Sequence, residues 1–139
     1  MSSSFAIKVL KIPEGSSFPE ELEREIEKLG LKGGMVMGIG GFESLELGIL
    51  NPTTREYAVN KYTSTDNVNL EGVSIIGNYF VRSDGKIATH IHVSIATGRE
   101  SSAGGHLIRG RVKPFLELFL IEVGEEVRRA FVHRDVQKK

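Results

Sequence analysis

Apolar and polar residues alternate with a period of two along much of this 139-residue chain, and this alternation constrains the fold most. In the clearest case, the run from Ile87 to Ala96, the isoleucines and Val93 share one parity, and His90, His92 and Ser94 share the other. Successive side chains of a strand point to opposite faces of a sheet, so the pattern indicates a half-buried strand. The chain is therefore expected to be mainly β-structure.

The same pattern predicts strands elsewhere in the chain. They are Phe5 to Val9, Leu45 to Ile49, Tyr57 to Val59, Val73 to Val81, Ile87 to Ala96, His106 to Val112, Phe115 to Val123 and Val127 to His133. The segment Arg82 to Lys86 contains an Asp-Gly pair and predicts a tight hairpin between two of these strands. These strands are expected to form a mostly antiparallel sheet.

One segment has the period of a helix. Leu22, Ile26 and Leu29 recur at i, i+4 and i+7, which predicts one buried stripe on an otherwise polar helix. Ser17 is the candidate N-cap, and Gly30 is placed to end the helix in the left-handed conformation. The fold class predicted is α+β: a mostly antiparallel β-sheet with one clear N-terminal helix and room for a second, short one.

Composition narrows the functional classes. A chain of this length predicts one domain, residues 1–139, with 134–139 as a polar tail. The absence of cysteine excludes disulfides, thiolate metal sites and thiol nucleophiles, and it is compatible with a cytoplasmic protein. No apolar run approaches the length of a membrane span. Eighteen basic and eighteen acidic residues weigh against strong non-specific DNA binding, which uses many uncompensated cations.

Three of the four histidines are candidate metal ligands. His90 and His92 lie two apart on the strand from Ile87 to Ala96, so both imidazoles project from one face. His106 follows the Gly/Ser-rich loop, and an antiparallel return of the chain brings it beside them. Imidazole is a good ligand for Zn²⁺, and three histidines leave one position open for water or a small anionic ligand. We predict a site for zinc, or another divalent metal, at these three residues.

Groups around the predicted metal are less defined. Ser94 and Glu117 are candidates to support the histidines, and Glu43, Arg99 and Glu117 are candidate helpers in an enzymatic reaction. Since no spacing places a general acid or base at the metal, a non-enzymatic role is favoured. Catalytic residues stay unassigned.

The histidine motif resembles that of a known family. The runs His90 to Ile95 and Gly104 to Leu107, with Gly110 and Glu117, are similar to the plant-and-prokaryote-conserved (PPC) domain, and Gly41 to Gly48 resembles its second signature. The resemblance covers Phe5 to about Val132 and is that of a stand-alone prokaryotic member. It implies an α+β fold, a homotrimer, a DNA-binding role and, as in some prokaryotic relatives, metal at the three histidines. The implied fold is also similar to that of acetolactate decarboxylase, a zinc enzyme.

Three functional hypotheses remain open. The first is a DNA-binding or regulatory module, with Arg109, Arg111 and Lys113 as the candidate nucleic-acid contacts. These three residues share one parity, so a trimer can gather them into a basic patch that the neutral composition hides. The second is a metal-dependent enzyme, of lyase or decarboxylase type, acting on a small keto or carboxylate compound. The third is an assembly module that recruits protein partners.

Overall fold

The structure, a computed structural model, describes residues 6–136 and confirms the predicted α+β class. The elements are β1 (Ala6–Pro13), β2 (Ser17–Phe18), α1 (Glu20–Leu29), β3 (Gly33–Leu50), β4 (Tyr57–Thr63), β5 (Leu70–Val81), β6 (Ile87–Ala96), β7 (Ser102–Glu122), α2 (Glu126–Ala130) and a 3-10 helix (Val132–Arg134). Within the described residues, no helix is long and apolar enough to cross a membrane.

The strands form one antiparallel sheet in the order β1-β7-β6-β5-β3-β4, with β2 added to β7. Strand β3 also pairs with β7, so that β3, β5, β6 and β7 close into a ring. The ring closes because β7 is 21 residues long and serves several neighbours. Its second half pairs with β1 and the start of β3, while its first half pairs with β6 and the end of β3.

The inner face of the ring holds the hydrophobic core. Its buried side chains include Val36, Phe42, Leu45, Leu47, Ile75, Tyr79, Ile91, Val93, Ile95, Leu116, Leu118 and Leu120. Helix α1 adds Leu22 and Ile26, both fully buried, and the Thr89 hydroxyl donates a hydrogen bond of 2.8 Å to the carboxylate of Glu23. The helix thus covers the side of β6 opposite to the histidines.

The ends of α1 differ in part from the prediction. The helix begins at Glu20 after Pro19, and Ser17 is not its N-cap, because Ser17 lies in β2 opposite Arg111. The predicted left-handed conformation of Gly30 is confirmed, with φ of 66°. Leu29 is 39 % exposed rather than buried, since the chain turns at Gly30 and buries Leu31 instead.

The C-terminal region also differs from the prediction. The segments His106 to Val112 and Phe115 to Val123 belong to one strand, β7. The predicted strand Val127 to His133 is wrong: this segment forms α2 and a 3-10 helix. Val127 is the buried residue of this segment. It packs directly onto the backbone of β3 because Gly33 has no side chain.

The predicted polar tail, 134–139, begins inside an ordered element. Arg134 ends the 3-10 helix and is half-buried, and Asp135 accepts a 2.8 Å hydrogen bond from the backbone N–H of Ser83. Residues 137–139 of the predicted tail, like Phe5 of the first predicted strand, lie outside the described residues.

Glu122 joins three elements at the end of β7. Its carboxylate accepts hydrogen bonds from the backbone N–H groups of Lys32 (2.7 Å) and Gly33 (3.0 Å) and from the hydroxyl of Tyr79 (3.1 Å). Burial raises the pKa of Tyr79, and the charge of Glu122 adds to this, so the phenol stays protonated and donates. The cluster ties β7 to β5 and to the start of β3.

Replacing Tyr79 by Phe removes one donor from a carboxylate and leaves the ring in place. Because hydrogen bonds to charged groups contribute about 1.5–3 kcal/mol, we expect Tyr79→Phe to lower the free energy of unfolding by about that amount in urea titrations. Tyr62→Phe, on half-buried Tyr62 of β4, is the control and should change it by less than about 0.5 kcal/mol. Equal stability of Tyr79→Phe and wild type would contradict this role of Glu122.

Candidate metal centre

The three predicted histidines meet on the outer face of the ring, the face opposite to the core. His90 and His92 project from β6, and His106 of β7 is the direct cross-strand partner of His92. One ring nitrogen from each residue lies within 4.8 Å of those from the other two. Within residues 6–136, no other group of three or more histidine, aspartate or glutamate side chains is close enough to share a metal ion.

The rings are arranged edge to face around a common centre. Their centroids are 5.1 Å apart for His90 and His92, 5.2 Å for His90 and His106 and 5.8 Å for His92 and His106. Tetrahedral zinc with bonds of about 2.0–2.1 Å holds its nitrogen ligands roughly 3.4 Å apart. The ring nitrogens of the three histidines, within 4.8 Å of one another, are thus close enough to share one ion.

Tyr57, which the sequence analysis did not select, positions His106. Its ring is stacked on the imidazole with a centroid distance of 4.9 Å and an interplanar angle of 21°. The stacking requires glycine at position 48, the cross-strand partner of His106, because a Cβ there would lie 2.8 Å from Cδ1 of Tyr57. Only the register between β3 and β4 reveals this contact.

Strand β5 supplies the neighbours of the other two histidines. Ile76 is opposite His92 and Asn78 is opposite His90 on the same outer face. Gly77 between them allows the two strands to approach, since a Cβ at this position would lie 1.9 Å from the carbonyl oxygen of His90. The histidine pair is therefore held on a backbone that has little room to shift.

The surroundings keep His90 neutral. Burial, together with the smaller effects of the positive charge of Arg134 and of the other histidines, lowers the pKa of His90 to about 4. At neutral pH the imidazole therefore carries no excess proton, and one of its nitrogens has a lone pair for a metal. The neutral form is the one that binds metal ions.

The predicted nucleic-acid contacts lie on the same outer face but are paired with acids. Arg109 contacts Glu46 at 3.2 Å, and Arg111 contacts Glu43 at 3.8 Å. Lys113 is exposed two residues further along β7. The structure thus places all three cations on one strand, as predicted, within a mixed rather than a purely basic surface.

The candidate helpers are not gathered at the histidines. Glu43 pairs with Arg111, and Glu117 lies eleven residues beyond His106 along β7, opposite Lys11 of β1. Arg99 lies in the loop between β6 and β7. Ser94 shares the outer parity of β6 but faces Gly104 across the strands, so it does not complete the cluster.

Arg134 is a second residue that the sequence analysis left out of the site. Its guanidinium donates a hydrogen bond to the side-chain oxygen of Asn78, the residue opposite His90. No spacing in the sequence connects position 134 with β5 or β6, because the contact depends on how the C-terminal segment folds back over the sheet.

Similar proteins were found among known families and solved structures. The model of the Plants and Prokaryotes Conserved (PCC) domain matches residues 1–124. No curated protein matches the sequence. A plant- and prokaryote-conserved (PPC) protein from Pyrococcus horikoshii is 27 % identical, with a TM-score of 0.75 over 88 % of this chain and 83 % of that one.

Two further structures share the fold at lower identity. A metal-containing protein from Archaeoglobus fulgidus is 24 % identical, with a TM-score of 0.76 over 86 % of this chain and 80 % of that one. A candidate DNA-binding protein from Bacteroides thetaiotaomicron is 19 % identical, with a TM-score of 0.73 over 85 % and 83 %. Because the family model matches most of the chain, this protein belongs to the Plants and Prokaryotes Conserved (PCC) domain family.

Proposed function

We propose that this protein is a regulatory module that works as a homotrimer and binds one divalent metal ion per chain through His90, His92 and His106. The observation that carries the proposal is the convergence of three imidazole nitrogens within 4.8 Å on one rigid sheet face. The strand register places the three imidazoles side by side, as a shared metal ion requires.

The donor set fits zinc or a similar imidazole-binding divalent metal. It consists of three imidazoles and no carboxylate, and the strands hold the ligands in place before the metal arrives. A metal with three protein ligands keeps a position for a further ligand and can act there as a Lewis acid. The metal-containing relative from Archaeoglobus fulgidus supports the proposal, although its 24 % identity establishes the fold alone.

An exposed apolar surface supports the homotrimer. We call it the outer apolar face; its large side chains are between 41 % and 71 % exposed and comprise Val9, Met37, Ile39, Val73, Ile76 and Phe119. Contiguous apolar surface of this kind marks an interaction site in soluble proteins. Its two charged neighbours, Lys11 and Glu117, are cross-strand partners of opposite sign, so no net charge opposes the approach of a second copy.

A DNA-binding role is the second candidate, and two proteins of the same fold favour it. Proteins from Bacteroides thetaiotaomicron and Ralstonia eutropha that share the fold are described as candidate DNA-binding proteins. In this chain the arginines of β7 are paired with Glu43 and Glu46 at exposed positions. Exposed ion pairs contribute only about 0–1 kcal/mol, so a phosphate can replace the glutamates at small cost.

Metal uptake tests the first proposal. Protein purified without an affinity tag should take up about one zinc ion per chain, and His90→Ala combined with His92→Ala should abolish the uptake. Loss of a residue that only hydrogen-bonds to a metal ligand lowers metal affinity about 10–100-fold. The loss of two ligands should therefore lower the affinity by more than this. His133→Ala, which removes the histidine outside the cluster, is the matched control and should bind like wild type. Full uptake by the double variant would contradict the site.

Light scattering tests the trimer. We expect a mass of three chains for the wild type and of one chain for Phe119→Glu, because the variant places a charge in the centre of the outer apolar face. Val59→Glu introduces the same charge on β4, at a residue that is equally exposed but outside this face, and should remain trimeric. A wild-type monomer, or a trimer that survives Phe119→Glu, would refute the assignment of this face.

A salt series tests DNA binding. The affinity for a duplex should fall as salt rises, with the logarithmic slope reduced by about 0.9 for each phosphate contact removed. The triple change Arg109→Ala, Arg111→Ala and Lys113→Ala should therefore flatten the slope, whereas Arg128→Ala with Arg129→Ala on α2 should not. Absence of binding at low ionic strength, or binding without salt dependence, would argue against this role.

A further inference from the structure

The C-terminal segment after β7 places a cation beside the histidine cluster. This segment, residues 125–136, follows the stretch matched by the family model, which ends at residue 124. It folds onto the outer face of β5, where the guanidinium of Arg134 lies over the ring of Phe80, 4.9 Å from its centroid, and 5.4 Å from that of Phe131. The same guanidinium donates to the side-chain oxygen of Asn78.

These contacts bring Arg134 next to the proposed metal ligands. Phe80 and Asn78 are successive outer-face residues of β5, and Asn78 is the cross-strand partner of His90. Side chains directly opposite each other on one face have Cβ atoms about 4.5–5.5 Å apart. A group bonded to the end of Asn78 therefore lies at the edge of the histidine cluster.

The position of Arg134 is fixed from both sides. Asp135 is hydrogen-bonded to the backbone N–H and the hydroxyl of Ser83 in the hairpin between β5 and β6, and Val127 anchors the start of the segment. The guanidinium is thus held at the site before any ligand arrives, which lowers the entropic cost of binding to it.

With a metal bound, the site would carry an excess of positive charge that an anion could neutralise. Arg134 is half-buried, so its guanidinium has lost part of its hydration, and this burial lowers its pKa. Among residues 6–136, no carboxylate forms an ion pair with it. A divalent metal on three neutral imidazoles adds two more positive charges next to it. An oxyanion that contacts both would neutralise charges that otherwise repel each other in a partly desolvated place.

We propose that Arg134 and the open position of the metal together bind a small oxyanion of the carboxylate or phosphate type. The guanidinium presents parallel N–H groups in the spacing that matches two oxygens of such a ligand, and the hydrogen bond to Asn78 uses one N–H and leaves others to donate. This inference rests on the proposed metal site and assigns the class of its ligand and the residue that selects it.

The experiment uses full-length protein loaded with Co²⁺, whose visible absorption responds to a change in its ligands. Acetate, inorganic phosphate and chloride are titrated separately into wild type, Arg134→Met and Arg134→Lys. Methionine retains an apolar cover over Phe80 without the charge. Arg129→Met, on an exposed arginine of α2 that pairs with Glu126, is the matched control.

We expect Arg134→Met to weaken the binding of acetate or phosphate by about tenfold or more, because hydrogen bonds between charged groups are lost. The affinity of Arg134→Lys for these anions should lie between those of wild type and Arg134→Met. Chloride binds a metal but cannot use two parallel N–H groups, so its affinity should fall much less. Co²⁺ affinity without added anion should stay equal or rise in Arg134→Met, since a repelling charge is removed. Arg129→Met should match wild type throughout.

Failure of the two proposals gives different results. If wild type takes up no Co²⁺, the metal site itself is refuted. If Co²⁺ binds but acetate and phosphate bind equally to wild type and Arg134→Met, only the role of Arg134 is overturned. An equal loss for chloride and for the oxyanions would also overturn it, because it would show a distant charge effect instead of a contact. Whichever of acetate and phosphate binds wild type more tightly assigns the ligand as a carboxylate or a phosphate.

Discussion

The hydrogen bonds between β7 and β3 close the ring, and every feature of the outer face depends on that closure. Without them the chain would be an open sheet, with β6 and β3 separated and the histidines at a distance from Tyr57. The long β7 allows the closure because its two halves pair with different parts of β3. The core fills the inside of the ring, so side chains of the ring strands that could contact a ligand or a partner lie on its outer face.

The outer face is divided into regions of different chemistry. The histidine cluster lies between the outer apolar face and the C-terminal segment, since Ile76 is opposite His92 and Asn78, bound by Arg134, is opposite His90. The mixed-charge region around Arg109 lies further along β7 and β3. In a trimer built on the outer apolar face, the proposed metal would lie close to the boundary between chains. Metal, anion and assembly would then influence one another at short range.

The site could be predicted in part. Strand parity alone put His90 and His92 on one face, and the short loop before His106 made its return beside them the simplest pairing. The apolar alternation placed the isoleucines of β6 in the core, which left the histidines outside. Tyr57 and Arg134 escaped prediction because their contacts join strands or segments that are far apart in sequence, and local patterns carry no information about such pairings.

The C-terminal segment shows why some local predictions were wrong. Val127 to His133 has the apolar content of a strand, yet it forms a helical turn in which Val127 packs closely on Gly33. The sequence by itself determined the period of each strand, and therefore which side chains share a face. Only the tertiary structure decided which strands are neighbours, because pairing depends on the closure of the whole ring. The tertiary structure therefore also decided which cation lies beside the histidines.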